Sequence, residues 1–241
     1  MRSELRLIAL PGIPEVVAGA SLGNLLVEAA ARVQMQIQTG DVLVIAQKIV
    51  SKAEGRVVPL AGVADKDPRI VELMLRESRK VLRVKPGVII VEHKLGFVMA
   101  NAGIDQSTVP GGDAAVLLLP ADPDASACKL RDALRERNGV EIGVLIIDSF
   151  GRAWRNGVTG TAIGVAGLSA LVDLRGNKDR EGRTLKVTQV AAADELAAAA
   201  SLVMGQADEG TPAVLVRGYP YALRESSVKE LLRPEAEDLF R

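Results

Sequence analysis

The run Gly143-Val-Leu-Ile-Ile147 is apolar on both faces of a strand and ends abruptly in Asp148-Ser149. A strand without a polar face needs cover above and below, so this run predicts an interior position in a sheet. The rest of the chain offers that cover. Strands are predicted at residues 5–10, 42–46, 115–119, 185–190 and 213–216, alternating with helices at 22–33, 68–79, 125–137 and 192–204. Pro68 opens its helix, where a missing N–H costs nothing. The helix at 192–204 is nearly all Ala and Leu and reads as buried on most sides. Between Val81 and Ala100, Lys85-Pro-Gly87 and Lys94-Leu-Gly96 separate three short β-rich pieces, a spacing that predicts antiparallel hairpins rather than crossovers. The chain shows no repeat, low-complexity tract or linker. It reads as one mixed α/β unit spanning residues 1–241, with two lobes and no boundary that the sequence marks.

Composition narrows the chemistry. The 241 residues carry 30 basic and 30 acidic side chains and a pI near 6.6, against a dedicated nucleic-acid or membrane-surface binder. One Trp, two Tyr and three Phe leave few platforms for stacking bases. The lone Cys128 makes no internal disulfide, so a reducing cytoplasm is the expected setting. Within Ala125-Ser-Ala-Cys-Lys-Leu-Arg it reads as a small core residue. The lone His93 rules out a three-histidine zinc site and an HExxH helix, and its strand-like context, Val88-Ile-Ile-Val-Glu-His93, makes a catalytic triad a weak reading. Glu4 and Pro11 interrupt any signal-peptide pattern. The longest charge-free stretch, residues 156–172, is rich in Gly and Thr and falls short of the about 20 apolar residues of a membrane span. A soluble protein is expected.

Three polar groups sit just past apolar elements: Asn101-Ala-Gly-Ile-Asp105, Asp148-Ser149, and Met204-Gly-Gln206 at the end of the buried helix. Carboxylate, hydroxyl and amide oxygens are hard donors that suit Mg²⁺ or Mn²⁺ and suit zinc badly. Each Asp equally well caps a turn. Lys48, Lys52 and Arg56 follow the strand at 42–46, and Arg152 and Arg155 follow Asp148, so all five are candidate phosphate contacts. The glycines at 151, 157, 160, 164 and 167 thin the backbone, either to admit an anion or simply to turn and pack closely. Neither a P-loop nor a GxGxxG after a strand occurs. Residues alone therefore reach a soluble α/β protein with a candidate metal–phosphate site.

The phrases Asp41-Val-Leu-Val-Ile-Ala-Gln-Lys-Ile-Val-Ser-Lys-Ala-Glu-Gly-Arg56, Asn101-Ala-Gly-Ile-Asp105, Asp148-Ser-Phe-Gly-Arg152, Arg155-Asn-Gly-Val-Thr-Gly-Thr-Ala-Ile-Gly164 and Pro212-Ala-Val-Leu-Val-Arg-Gly218 resemble, in that order, the coenzyme F420-0:L-glutamate (gamma-glutamyl) ligase family. The resemblance runs from Gly12 to Gly218. It implies an α+β fold, largely antiparallel and specific to the family, in an intertwined homodimer. It implies a GTP-dependent ligase of deazaflavin coenzyme biosynthesis that uses Mg²⁺ or Mn²⁺ at two sites, with K⁺ as a further cation. GTP would activate the acceptor's terminal carboxylate as an acyl phosphate, the glutamate amine would displace phosphate, and later glutamates would join through γ-carboxylates. Such chemistry runs on positioning and charge neutralisation, without a covalent nucleophile.

Carried over by position, the implied metal ligands are Asp105 and Asp148 for a metal bridging the terminal phosphates, and Ser149 with Gln206 for the second. The implied nucleotide contacts are Ile13, Pro14, Glu15, Val16, Gln47, Lys48, Lys52, Thr108, Met204, Gly205, Gln206, Ala207, Asp208, Glu209, Gly210 and Thr211, with Lys52 neutralising phosphate as a point cation. From charge alone, Arg152 and Arg155 are assigned to the acceptor's phosphodiester or the acyl phosphate. The chain departs from relatives at Gln206, where some carry an acid, at Thr108, where an Asn occurs, and at Gln47-Lys48, where small hydroxyl residues occur. An appended flavin-reductase-like domain, present in some bacterial members, is expected to be missing. Competing readings are a ligase acting on another acceptor, such as a pterin or folate tail, a GTP-binding module without turnover, and a purely structural protein.

Overall fold

The computed structural model of the chain describes residues 4–60, 68–106 and 115–239. Its elements in chain order are β1 (Arg6–Ala9), α1 (Leu22–Arg32), β2 (Val42–Ala46), α2 (Gln47–Ala53), β3 (Val57–Pro59), α3 (Pro68–Arg76), β4 (Ser78–Lys85), β5 (Val88–His93), β6 (Val98–Ala100), β7 (Ala115–Leu117), α4 (Pro123–Asn138), β8 (Gly143–Arg152), β9 (Arg155–Ala166), β10 (Val172–Asp173), β11 (Gln189–Val190), α5 (Ala192–Met204) and β12 (Ala213–Arg217). The main sheet has the order β1-β12-β2-β8-β9. Its β2–β8 pairing is parallel, and every other strand pair among the described residues is antiparallel. The fold is therefore α+β, as the sequence implies.

The apolar run at 143–147 lies between β2 and β9, an interior position. Val42 to Ile45 in β2 and Val144 to Ile146 in β8 are fully buried, which requires cover on both faces. On one face α4 packs over β8 and β9 and meets α1; α5 crosses the other. The β4-β5-β6 meander forms the expected pair of hairpins. Helix α4 follows the capping rules closely: Asp122 accepts from the Ala125 N–H at 3.1 Å, Pro123 stands at the first helical position, and Gly139 closes the helix in the left-handed region at φ 66°.

Several expectations are revised. The helix predicted at 68–79 stops at Arg76, and Ser78 and Arg79 already belong to β4. The strand predicted at 185–190 is reduced to Gln189–Val190. Of the two readings of the glycine-rich stretch, the structure supports close packing: residues 155–166 form the 12-residue strand β9. A Cβ on Gly160 would lie 2.5 Å from the Ala197 carbonyl oxygen of α5, and one on Gly164 would lie 2.4 Å from that of Pro123 in α4. These glycines let two helices seat directly on the strand. As an edge strand, β9 also needs its outward N–H groups covered. Asp194 accepts from the Ala162 N–H at 3.0 Å, and Asp124 accepts from the N–H groups of Val165 at 2.8 Å and Val228 at 3.1 Å. No helix among the described residues is long and apolar enough to cross a membrane.

Candidate active site

Strand direction explains why distant stretches meet. In the parallel pair, Ala46 is level with Ile147, so Gln47-Lys48 leave the end of β2 where Asp148-Ser149 continue along β8, which runs on past the predicted end at Ile147 to Arg152. A parallel pair with antiparallel strands around it makes this end a place where chain directions diverge, the usual site of a ligand crevice in open sheets. Strand β12 runs the other way, and the Ala46 N–H donates to the Pro212 carbonyl at 2.9 Å, so the stretch Gly205 to Thr211 enters at the same end. The Leu10 N–H donates to the Ala213 carbonyl at 2.9 Å, and Ile13, Pro14, Glu15 and Val16 therefore leave β1 there too.

Asp105 arrives by a different route. It forms an antiparallel bridge with Leu117 through two hydrogen bonds of 2.8 and 3.0 Å. Just before it, Asn101 (φ 51°), Ala102 (φ 53°) and Gly103 (φ 64°) take the left-handed conformation in succession. Non-glycine residues hold that conformation at a cost of about 1–2 kcal/mol each, and such strain collects where the surrounding structure over-determines a turn. Asn101 is held by accepting from the Ile89 N–H at 2.9 Å. This turn aims Asp105 at α2, where its carboxylate meets Lys48 Nζ at 2.7 Å.

The implied metal ligands fall into two groups rather than one. Asp148 stands with Asp105 and Lys48; burial pushes its carboxyl up to about 6, a backbone hydrogen bond from Ser149 opposes this, the Asp105 charge adds to it, and Lys48 pulls it back down. Ser149 follows on the opposite face of β8, as strand alternation requires. Its hydroxyl lies 2.6 Å from Gln206 Oε1, and Gln206 Nε2 donates to Ser201 Oγ at 3.0 Å. Among the described residues no group of three or more His, Cys, Asp or Glu side chains is placed to hold a metal. A cation held by Asp105 and Asp148 would thus draw its remaining oxygens from water and from its ligand.

Around these groups, Lys52 is almost fully buried and reaches Glu15 Oε1 at 2.6 Å. Gln47 is also buried; its Oε1 accepts from Ser51 Oγ at 2.9 Å, while its Nε2 has no partner among the described residues. An orphaned buried donor at the mouth of a site calls for an acceptor. Glu209 Oε2 accepts from the Ala207 N–H at 2.8 Å, and this and neighbouring backbone N–H groups hold its carboxyl below the usual range. Gly205 sits at φ 75° and ψ −179°, a conformation essentially confined to glycine.

Other candidates lie elsewhere. Arg152 and Arg155 stand at the exposed tip of the β8–β9 hairpin, where Arg152 donates to the Asn156 carbonyl at 3.4 Å; one chain does not bring them to Asp148. Arg56 is engaged within the fold. It binds the Leu119 carbonyl at 2.9 Å and Glu77 at 3.0 Å, tying α2's exit to the meander. Thr108 lies outside the described residues. His93 is buried in the meander, accepts from the Leu95 N–H at 3.0 Å, and is pushed down to about 4 mainly by burial, so it is neutral at pH 7. Cys128 is half-buried on α4 with its thiol pushed up by burial, which makes it a poor nucleophile. The sequence reading missed the left-handed turn at 101–103 and the pairing of Lys48 with Asp105. The Asn-Ala-Gly triplet was the available signal for the turn, since Asn and Gly are the residues that enter that conformation most readily.

Two carboxylates and two lysines brought to one end of the main sheet are side chains suited to an enzyme that handles an anionic substrate. Comparison with known proteins gives the family. The model of the family described as F420-0:Gamma-glutamyl ligase matches residues 12–218, and the chain belongs to that family. It is 47% identical to the coenzyme F420:L-glutamate ligase of Methanothermobacter thermautotrophicus, over 98% of this chain and 99% of that protein. The proteins of the same name from Methanopyrus kandleri and Haloarcula marismortui are 45% and 42% identical, each over 98% of this chain and over 98% and 96% of their own lengths. The chain is a ligase.

Proposed function

We propose that this ligase joins L-glutamate to the deazaflavin precursor coenzyme F420-0 through an amide, and then adds further glutamates through γ-linkages, in coenzyme F420 biosynthesis. The relatives, named coenzyme F420:L-glutamate ligases, support the two substrates. GTP is the co-substrate, activating the acceptor carboxylate as an acyl phosphate that the glutamate amine then attacks. The observation that carries this reading is the gathering of residues 13–16, 47–52, 105, 148–149 and 205–211 at one end of the main sheet, through strand direction and the Lys48–Asp105 ion pair. That end supplies two lysines for phosphate charge and an orphaned Gln47 amide donor. Among the described residues it supplies no cysteine or histidine for covalent catalysis, which an acyl phosphate does not require.

Asp105 and Asp148 fit Mg²⁺ or Mn²⁺: both are hard carboxylates, and the half-buried Asp148 has a neighbouring negative charge that a cation would offset. When bound, the metal supplies charge neutralisation for the terminal phosphates. Ser149 and Gln206, already in contact, are assigned to a second cation; K⁺ belongs to the same proposal. Two copies of the chain form the working enzyme in a cytoplasmic setting. The β8–β9 hairpin supports this, because its tip holds the one Trp of the chain, Trp154, 81% exposed, with Val158 54% exposed beside it. A second copy would also bring Arg152 and Arg155 to a partner's crevice. Phosphate release tests the reading. It should require GTP, glutamate, acceptor and divalent metal together; release independent of acceptor, or binding of GTP without release, contradicts it.

A further inference from the structure

The resting crevice carries its own cation. Lys48 is the second residue of α2, and the β2–β8 register brings the start of that helix level with Asp148. Its Nζ stands 2.7 Å from Asp105 Oδ2, with the two side chains only 32% and 24% exposed. Its charge also acts on Asp148, where it opposes the effect of Asp105. The ammonium therefore pairs directly with one carboxylate of the implied metal site and lies close enough to act on the charge of the other. Lys52, one helical turn further on, is engaged elsewhere, its ammonium taken by Glu15 at 2.6 Å. A divalent cation approaching Asp105 must displace an ammonium already at hydrogen-bond distance, and a displaced ammonium left beside that cation is repelled. Phosphate oxygens resolve the conflict, since they give Lys48 an anion of its own.

We propose that Lys48 is an internal stand-in cation that makes metal loading at Asp105 and Asp148 conditional on the nucleotide. Without nucleotide, its ammonium holds Asp105; when phosphates enter, the flexible side chain passes to them and vacates the carboxylate. Metal and nucleotide then bind with positive coupling, and Lys48 carries that coupling. This rests on the metal assignment made above.

The test is Mn²⁺ affinity, read from the electron paramagnetic resonance signal of free Mn²⁺, with and without GDP, for the parent chain, Lys48→Met, Lys48→Arg and Asp148→Asn. The parent should bind Mn²⁺ weakly alone and about tenfold or more tightly with GDP. Lys48→Met should bind Mn²⁺ alone about tenfold more tightly than the parent and gain little from GDP, whereas Lys48→Arg should keep the parent's weak binding. Mn²⁺ affinity in Lys48→Met equal to or below the parent's, while Asp148→Asn abolishes binding, overturns the role of Lys48 and leaves the metal site standing. Asp148→Asn binding Mn²⁺ as the parent does overturns the metal assignment and the role of Lys48 with it.

Discussion

Lys48 and Asp105, 57 positions apart in the sequence, are joined by a 2.7 Å ion pair that closes one side of the crevice. The pair links α2, which is fixed by the parallel strands, to a turn held by three successive left-handed residues. Neither element places the carboxylate alone. The chemistry assigned to the crevice depends on both.

Asp148→Asn should abolish ligation while leaving the fold intact. A side chain of nearly the same shape replaces a carboxylate, and losing a ligand of this type costs about 100-fold or more in activity. Product formation under saturating GTP, glutamate and Mn²⁺ is the measurement; an active variant contradicts the assignment.

The same substitution should change stability with a defined sign. The Asp148 carboxyl is raised from 3.8 to about 6, so between those values the folded chain holds a proton that the unfolded chain has released. This group's contribution to stability therefore falls as pH rises through that window, and above it the buried charge opposes folding by up to about 3 kcal/mol. Asp148→Asn should be more resistant to urea than the parent at pH 8 and close to it at pH 4. Equal stability at both pH values would show that Asp148 is not buried as a charge.

Lys52→Ala should weaken GTP binding by about tenfold or more, because a buried ammonium is removed from the phosphate end of the crevice. Isothermal titration decides it, and unchanged affinity counts against a phosphate role.

Gly160→Ala and Gly164→Ala should each destabilise the chain by about 1–3 kcal/mol, since the new methyl meets backbone carbonyl oxygens at 2.5 and 2.4 Å that cannot move without shifting α5 or α4. A fall in Tm is expected. An unchanged Tm would mean that the helices do not seat on β9.

Trp154→Glu should convert a dimer into monomers in sedimentation, because a charge would replace the largest exposed apolar side chain of the hairpin tip. A sedimentation coefficient identical to the parent's would remove the hairpin from the interface.

Much of this fold was legible where one local signal decided the outcome. The two-sided apolar run at 143–147 located an interior strand, and Lys85-Pro-Gly87 with Lys94-Leu-Gly96 marked both turns of the meander. The glycine stretch left two readings open because glycine looks the same locally whether it admits an anion or a helix; the position of Ala197 and Pro123 favours close packing. The partners of Arg56 were not legible for a related reason, Glu77 and Leu119 being 21 and 63 residues away. In the crevice, residue types were readable but pairings were not. Asp105 and Asp148 looked equivalent along the sequence, yet one is held by a lysine at 2.7 Å and the other is half-buried with a raised carboxyl. Ser149, adjacent to Asp148 in sequence, faces away from it to meet Gln206, since successive strand residues point to opposite faces.

Mass spectrometry of the deazaflavin after incubation with GTP, L-glutamate and Mn²⁺ tests the account most directly. The parent chain should yield an acceptor heavier by one or more glutamyl residues, with one GDP and one phosphate formed per residue added, and Asp148→Asn should yield none. An unmodified acceptor with the parent, or the same adduct with Asp148→Asn, would contradict it.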